Sequence, residues 1–288
     1  MTVAQRFARA RPRLLRLAYS QLGDLGEAED VVQEAWLRLE RTGADSIDDL
    51  DAWLTTVVGR LALDTLRSAR SRREVYVGPW LPEPVVSEDP ADRVTLDESV
   101  SYALLALLEQ LSPAERTAFV LHDVFELPFG EVADVVGRTP EAVRQLASRA
   151  RRHVAEQRPR FEASRDEHER AVHAFAQAVA EGDLDGLVAV LDPDVVWTSD
   201  GGGHAIAARK PVQGAGRVAR AWIAMRGRAA DAPAAIGLNG RLGLLLPGRD
   251  GHRSAVSFVV DGGRIARIDV VRNPEKLRRV TRGPVRSP

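Results

Sequence analysis

The chain contains no cysteine, so it forms no disulfide, carries no thiolate switch and holds no cysteine-ligated zinc. Lysine is nearly absent too. Only Lys210 and Lys276 occur, so arginine supplies almost all positive charge; a GC-rich genome produces that bias as readily as selection for bidentate phosphate contacts. No apolar run approaches the roughly 20 residues that span a bilayer. The opening stretch MTVAQRFARARPRLLRLAYS interleaves arginine with apolar residues and lacks the unbroken apolar core of a secretion signal. A cytoplasmic location with no membrane partner is expected.

What is present is a globular composition, 44% hydrophobic and 28% charged over 288 residues, enough for about two domains. The net charge of −1 conceals strong segregation. The first 23 residues hold five arginines and no acid, Asp24 to Asp51 holds ten acids against Arg38 and Arg41, and Arg138 to Arg160 holds seven arginines against Glu141 and Glu156. Separate surfaces for basic and acidic partners follow.

Periodicity then places the elements. In Glu27 to Leu39, Ala28, Val31, Val32, Ala35, Trp36 and Leu39 form one apolar helical stripe, with Glu27, Asp30 and Glu34 turned away from it. A second helix is expected from a Ser46 cap with Asp49 completing a capping box, running to a basic end near Arg73. Ser112, Pro113 and Glu115 mark another helix start. From about Asp166 the texture changes to a helix pair broken at Gly182, followed by short β-branched runs separated by Asn-Gly, Asp-Gly and Gly-Gly turns. Those turns predict antiparallel hairpins and an α+β domain.

The most specific local signal lies between Phe129 and Gln157. Val132, Val135 and Val136 face Val143, Leu146, Ala147, Ala150 and Val154 across a turn through Gly137 and Arg138, with Thr139 capping a helix that Pro140 begins. This is a helix-turn-helix, whose second helix lies in the DNA major groove. Arg144, Gln145, Ser148, Arg149 and Arg152 fall on the face away from the apolar seam. A solvated basic helix in a small bundle would carry the same pattern. The helix Trp53 to Arg73 is also arginine-rich at its end, a weaker signal because basic residues favour helix C-termini.

Together these segments resemble a known family. AEDVVQEAWLRL followed by AWLTTVVGRLALDTLRSARSRR is similar to region two of extracytoplasmic-function sigma factors, and LSPAERTAFVLHDVFELPFGEVADVVGRTPEAVRQLASRARR is similar to their region four. WLPEP, DGGGH (Asp200 to His204), ARKPVQG (Ala208 to Gly214) and NPEKL (Asn273 to Leu277) resemble the subgroup with a SnoaL-like C-terminal domain. His204 and Glu275 depart from the lysine and aspartate usual there. The resemblance implies two all-α helical domains followed by an α+β SnoaL-like cone-shaped domain: 1–75 region two, 76–96 a proline-containing linker, 97–160 region four, and 165–280 a regulatory domain.

It also implies partners and sites. Asp30, Gln33, Glu34, Trp36 and Leu37 match the surface that binds the clamp helices of the largest subunit of core RNA polymerase, and region four docks on the polymerase flap. Arg60, Asp64, Arg67, Arg70, Arg72 and Arg73 match the element that holds open the minus-ten strand. Arg138, Thr139, Glu141, Arg144, Gln145, Ser148, Arg149 and Arg152 match the readers of minus-thirty-five promoter DNA. No enzymatic activity, metal or cofactor is expected; His204, His252, Asp194, Asp200 and Asp269 show no spacing that commits two of them to an acid-base pair. An unidentified small ligand of the C-terminal domain stays open.

The linker poses its own question. In VGPWLPEPVV, Pro79, Pro82 and Pro84 forbid a helix, yet Trp80 and Leu81 are apolar groups that water does not favour. A regulatory contact between Trp80, Leu81, Pro82, Glu83 and Pro84 and the loop Asp200, Gly201, Gly202, Gly203 and His204 is expected, which would fix the spacing of the two DNA-binding modules and act on them; packing of Trp80 on neighbouring helices is the alternative. The overall expectation is a sigma factor directing promoter-specific initiation. Its rivals are a helix-turn-helix regulator with a ligand-sensing or vestigial cyclase-like domain, and an enzyme with a DNA-targeting arm.

Overall fold

A computed structural model describes residues 2–74, 76–86, 100–157, 163–226, 233–248 and 251–280. It contains two compact units, one built from residues 2–74, 100 and 104–157, the other from 76–86, 101–103 and 163–280 as far as these are described.

The first unit opens with α1 (Val3–Leu22), α2 (Leu25–Thr42) and α3 (Leu50–Glu74). Asp24 caps α2 by accepting from the Glu27 amide at 2.8 Å, and Ala28, Val31, Val32, Ala35 and Leu39 are buried as the stripe requires. The expected Ser46 cap of α3 is corrected. Ser46 ends a 3-10 turn and its hydroxyl donates back to Thr42 and Gly43 carbonyls, whereas Asp49 Oδ1 accepts from the Asp51 and Ala52 amides, both at 3.0 Å. A carboxylate one residue from the first turn is better placed than a hydroxyl four residues away, and it starts the helix at Leu50.

From residue 104 the unit continues through the rest of α4 (Tyr102–Leu108), α5 (Pro113–Phe119), a π-helical turn (Val120–Val124), α6 (Phe129–Val136) and α7 (Pro140–Gln157). The capping box of Ser112 and Glu115 is present. Gly137 turns α6 into α7 with φ of 71°, a left-handed conformation that glycine adopts without strain. Val132, Val135 and Val136 meet the helix-turn-helix seam with Val143, Leu146, Ala147 and Ala150 fully or nearly fully buried. Gly59 sits mid-helix in α3, where glycine costs about 1 kcal/mol relative to alanine. Close packing explains it: a Cβ there would lie 3.1 Å from Val135 Cγ1.

In the second unit, α8 (Arg165–Glu181), α9 (Leu184–Val190) and α10 (Ala215–Arg226) accompany β1 (Leu191–Asp200), β2 (Val212–Gln213), β3 (Ala234–Leu238), β4 (Arg241–Leu246), β5 (Ser254–Asp261) and β6 (Arg264–Val271). The sheet order is β2-β1-β6-β5-β4-β3. Hairpins turn at Asn239-Gly240 and Gly262-Gly263, all four residues with positive φ, as mirror-image turns demand. One pairing departs from the hairpin expectation: β1 runs parallel to β6, with Trp197 opposite Ile268. The sequence between them carries the other strands, so no turn motif signalled it.

Alternation along the strands creates two buried faces. On one, Leu244, Val256, Phe258 and Val270 pack with Phe175, Leu187 and Trp222 from the helices. On the other, Leu245, Ala255 and Val271 pack with Leu81, Tyr102, Leu277 and Val280. The helix-backed mixed sheet makes the second unit the α+β domain expected from the sequence. Leu81 belongs to its core.

Candidate nucleic-acid interface and linker clasp

In the first unit, the expected minus-thirty-five residues share one exposed face. Arg138, Thr139, Glu141, Arg144, Gln145, Ser148, Arg149 and Arg152 are all exposed, while Val143, Leu146, Ala147, Ala150 and Val154 between them are buried. Thr139 caps α7 by accepting from the Ala142 amide. Arg144 pairs with Glu141 at 3.3 Å and lies over the Phe129 ring, 5.3 Å from its centroid. Arg149 Nε donates to Glu115 Oε1 at 3.0 Å, and Arg151, absent from the expected set, pairs with Asp123 at 2.5 Å.

The expected minus-ten residues are less uniform. Arg60 donates through Nε and Nη2 to the Asp134 carbonyl, at 3.2 and 2.9 Å, so in the free chain it tethers α3 to α6. Arg67 pairs with Asp64 at 3.3 Å on an exposed surface. The side chains of Arg70, Arg72 and Arg73 lie outside the described residues. On α2, Asp30, Gln33 and Leu37 are exposed, Glu34 pairs with Arg38 at 3.0 Å, and Trp36 is half-buried against Phe7, ring centroids 4.9 Å apart.

In the second unit the linker is gripped at two points. Asp200, wholly buried at the end of β1, accepts from Tyr76 Oη at 2.5 Å, the Leu81 amide at 2.9 Å, the Gly202 amide at 3.0 Å and Lys276 Nζ at 2.7 Å. Lys276 also donates to the Leu81 carbonyl at 2.5 Å and lies 3.2 Å from the Trp80 ring centroid. One buried ion pair therefore satisfies both backbone groups of Leu81. Asn273 Nδ2 donates to Tyr76 Oη at 2.9 Å, and burial first, then the bond to Asp200, push the Tyr76 phenol well above its ordinary pKa, keeping it a donor. Trp80 completes the group, edge-on to Tyr76 at 4.7 Å.

The second grip is a strand-like bridge. The Val85 amide donates to Asn239 Oδ1 at 3.0 Å, the Asn239 amide donates to the Val85 carbonyl at 2.8 Å, and Val86 bridges Leu238 on β3. Between the grips Pro82, Glu83 and Pro84 are buried, and Tyr102 Oη donates to the Pro82 carbonyl at 3.0 Å. Gly202 and Gly203 have φ of 62° and 78°, and a Cβ on Gly202 would strike the Asn273 side chain. His204 is exposed.

Sequence reasoning missed Tyr76, Asn273 and Lys276 as members of this group. NPEKL stands out as a motif, and its Lys276, one of two lysines in the chain, is the available signal. Among the acid-base candidates, Asp200 is bound by Lys276 and Asp269 by Arg267 at 2.8 Å, while Asp194 and His204 face solvent and His252 is half-buried.

A helix-turn-helix with an exposed arginine face, preceded by a three-helix module with an acidic second helix, is the architecture of sigma subunits. Residues 7–72 match the family described as Sigma-70 region 2, and residues 101–154 match Sigma-70, region 4. The chain belongs to the extracytoplasmic-function sigma factors of RNA polymerase, proteins that bind core polymerase and promoter DNA and are not enzymes. It is 42% identical to the ECF RNA polymerase sigma factor SigJ of Mycobacterium tuberculosis, over 94% of this chain and 92% of that one. It is 39% identical to the probable ECF sigma factor SigI of the same organism, over 93% and 92%. The crystal structure of M. tuberculosis SigJ superposes with a TM-score of 0.80 at 38% identity, covering 99% of this chain and 100% of that one. Among the described residues no helix is long and apolar enough to cross a membrane.

Proposed function

We propose that this sigma factor is restrained by its own C-terminal domain, which holds the linker and so limits how regions two and four are presented to polymerase and promoter. The observation that supports this reading is the occupation of both Leu81 backbone groups by the Asp200–Lys276 pair. A tether needs only length and flexibility. This one is held by a buried charge pair, an aromatic contact and a bridge to a sheet edge, all of which oppose any state in which the linker lies elsewhere. By linkage, a state that releases the linker is disfavoured by whatever the grip contributes.

In this reading the face of α2 carrying Asp30, Gln33 and Leu37 meets the polymerase clamp helices, region four docks on the flap, α7 reads the minus-thirty-five element, and α3 holds the minus-ten strand, whose unstacked base costs a few kcal/mol to extrude. Polymerase binding draws the linker into the enzyme's channel. Run-off transcription with purified core polymerase tests both levels. No RNA from any template would end the promoter-directing role; normal RNA with no change on replacing Trp80 by alanine would end the restraint while leaving initiation intact.

A further inference from the structure

The connection from α5 to α6 is unusual. A π-helical turn at Val120–Val124 leads into Glu126, a non-glycine residue at φ of 58°, and such turns inside helices cluster at functional sites. Its result is local and specific. The His122 ring stacks on Phe129, the first residue of α6, with centroids 3.7 Å apart and planes at 28°. His122 Nδ1 donates to the Leu127 carbonyl at 2.8 Å, which holds the imidazole in place, and Leu127 is itself tied back to Leu121. The guanidinium of Arg144 lies over that same Phe129 ring at 5.3 Å.

Arg144 is otherwise poorly restrained. Its pairing with Glu141 is exposed at both ends, 56% and 72%, and exposed pairs contribute little. A long side chain in that situation samples many rotamers and loses that freedom on binding. An aromatic face removes part of the problem, because a guanidinium stacked on a ring keeps its plane and its fork of donors fixed. A fixed plane is what bidentate contact with a guanine edge requires.

We propose that Phe129, seated on His122, is a positioning residue that orients Arg144 for reading one base pair of the minus-thirty-five element. The proposal rests on the reading of α7 as the DNA-contacting helix. It separates base reading from phosphate contact, since a phosphate accepts a donor from many directions whereas a base edge does not.

The test uses the full chain with core polymerase. Templates randomised across the minus-thirty-five region are transcribed, and base preference is scored at each position for wild type, Arg144→Ala, Phe129→Leu, Phe129→Trp, His122→Gln and the Phe129→Leu/Arg144→Ala double variant, with thermal unfolding of each. Arg144→Ala flattens preference at one position. Phe129→Leu keeps an apolar side chain without a π face and lowers discrimination at that same position about three-fold, Phe129→Trp retains it, and His122→Gln gives a smaller loss there should the leucine variant fold poorly. In the Arg144→Ala background Phe129→Leu adds nothing. Wild-type preference in both Phe129→Leu and His122→Gln, an equal loss at every position, or a full additional loss in the double variant would overturn the proposal. No effect of Arg144→Ala would overturn the α7 reading as well, which distinguishes the two failures.

Discussion

Lys276 Nζ stands 3.2 Å from the centroid of the Trp80 ring and 2.7 Å from Asp200 Oδ2. Both charged side chains are almost completely buried. A buried ion pair contributes little beyond an apolar substitute of the same shape, but removing one partner strands the other at a cost of roughly 3–5 kcal/mol. What keeps these two charges satisfied is largely the linker: the Leu81 amide and carbonyl, the Tyr76 hydroxyl and the Trp80 face. The linker and the ion pair therefore depend on each other.

Replacing Lys276 with methionine should accordingly destabilise the second unit by about 3 kcal/mol, read as a drop in its thermal unfolding midpoint. Adding Asp200→Asn to that variant should recover part of the loss, because the neutral amide no longer needs a counter-charge. A double variant no more stable than Lys276→Met alone would show that the two side chains are not energetically coupled.

Trp80→Ala removes the cation–π contact and the edge-on packing with Tyr76, a loss of about 1–2 kcal/mol from the grip. With core polymerase below saturation, run-off output should rise several-fold, since each 1.4 kcal/mol taken from the restrained state shifts the balance about ten-fold at most. Trp80→Phe should rise less. Equal output from all three proteins is the result that counts against a restraining role.

The helical elements were legible because their signals are local. An apolar stripe, a Ser-Pro-Ala-Glu start or a Gly137 turn lies within one window of sequence, and hairpin turns announce themselves through Asn239-Gly240. The α3 cap was displaced because Ser46 and Asp49 are both capping residues, and only the path of the chain before Leu50 decides between them. The parallel β1/β6 pairing and the clasp are long-range. Tyr76 and Asn273 are 197 positions apart, and nothing near either residue records the other. Trp80 and Leu81 were conspicuous as apolar residues in a proline-rich stretch, which raised the question of a surface for them without identifying Lys276.

Gly59 gives a prediction inside the first unit. Elements named minus-ten and minus-thirty-five stand about 25 base pairs apart, on the order of 85 Å of duplex at 3.4 Å per step, so modules that read both must separate from the contact of α3 with α6. Gly59→Ala should gain helix propensity of about 1 kcal/mol while crowding Val135, leaving the melting temperature little changed. Gly59→Leu should wedge the helices apart, raising the distance between fluorophores placed on α2 and α7. An unchanged distance in a folded Gly59→Leu protein would mean the close approach does not hold the modules together.

His168 supplies a pH dependence. Burial pushes its pKa below the ordinary 6.5, with Arg241 adding to the lowering and the Leu242 carbonyl and Glu169 opposing it. Its Nε2 donates to that carbonyl at 2.8 Å. As pH falls through the ordinary value the unfolded chain takes up a proton that the folded chain refuses, so stability present above that value is lost progressively below it. His168→Gln should flatten that decline in chemical denaturation measured between pH 7 and about 5. A decline of the same slope in the variant would assign it to other groups.

Arg149 is the residue on which phosphate contact can be counted. Its Nε is engaged by Glu115 Oε1, and Glu115 is itself fixed by Ser112, whose hydroxyl donates to Oε2 at 2.6 Å. That leaves the two Nη groups, with four of the five N–H donors, for DNA. If they meet a phosphate, Arg149→Ala should weaken promoter binding by the holoenzyme and reduce the slope of log affinity against log salt by about one unit, with sequence preference intact. Glu115→Gln separates the charge from its support: the guanidinium remains, so the slope should hold while affinity falls. An unchanged affinity and slope in Arg149→Ala would remove this residue from the interface, and a changed base preference would move it from the phosphate backbone to a base edge.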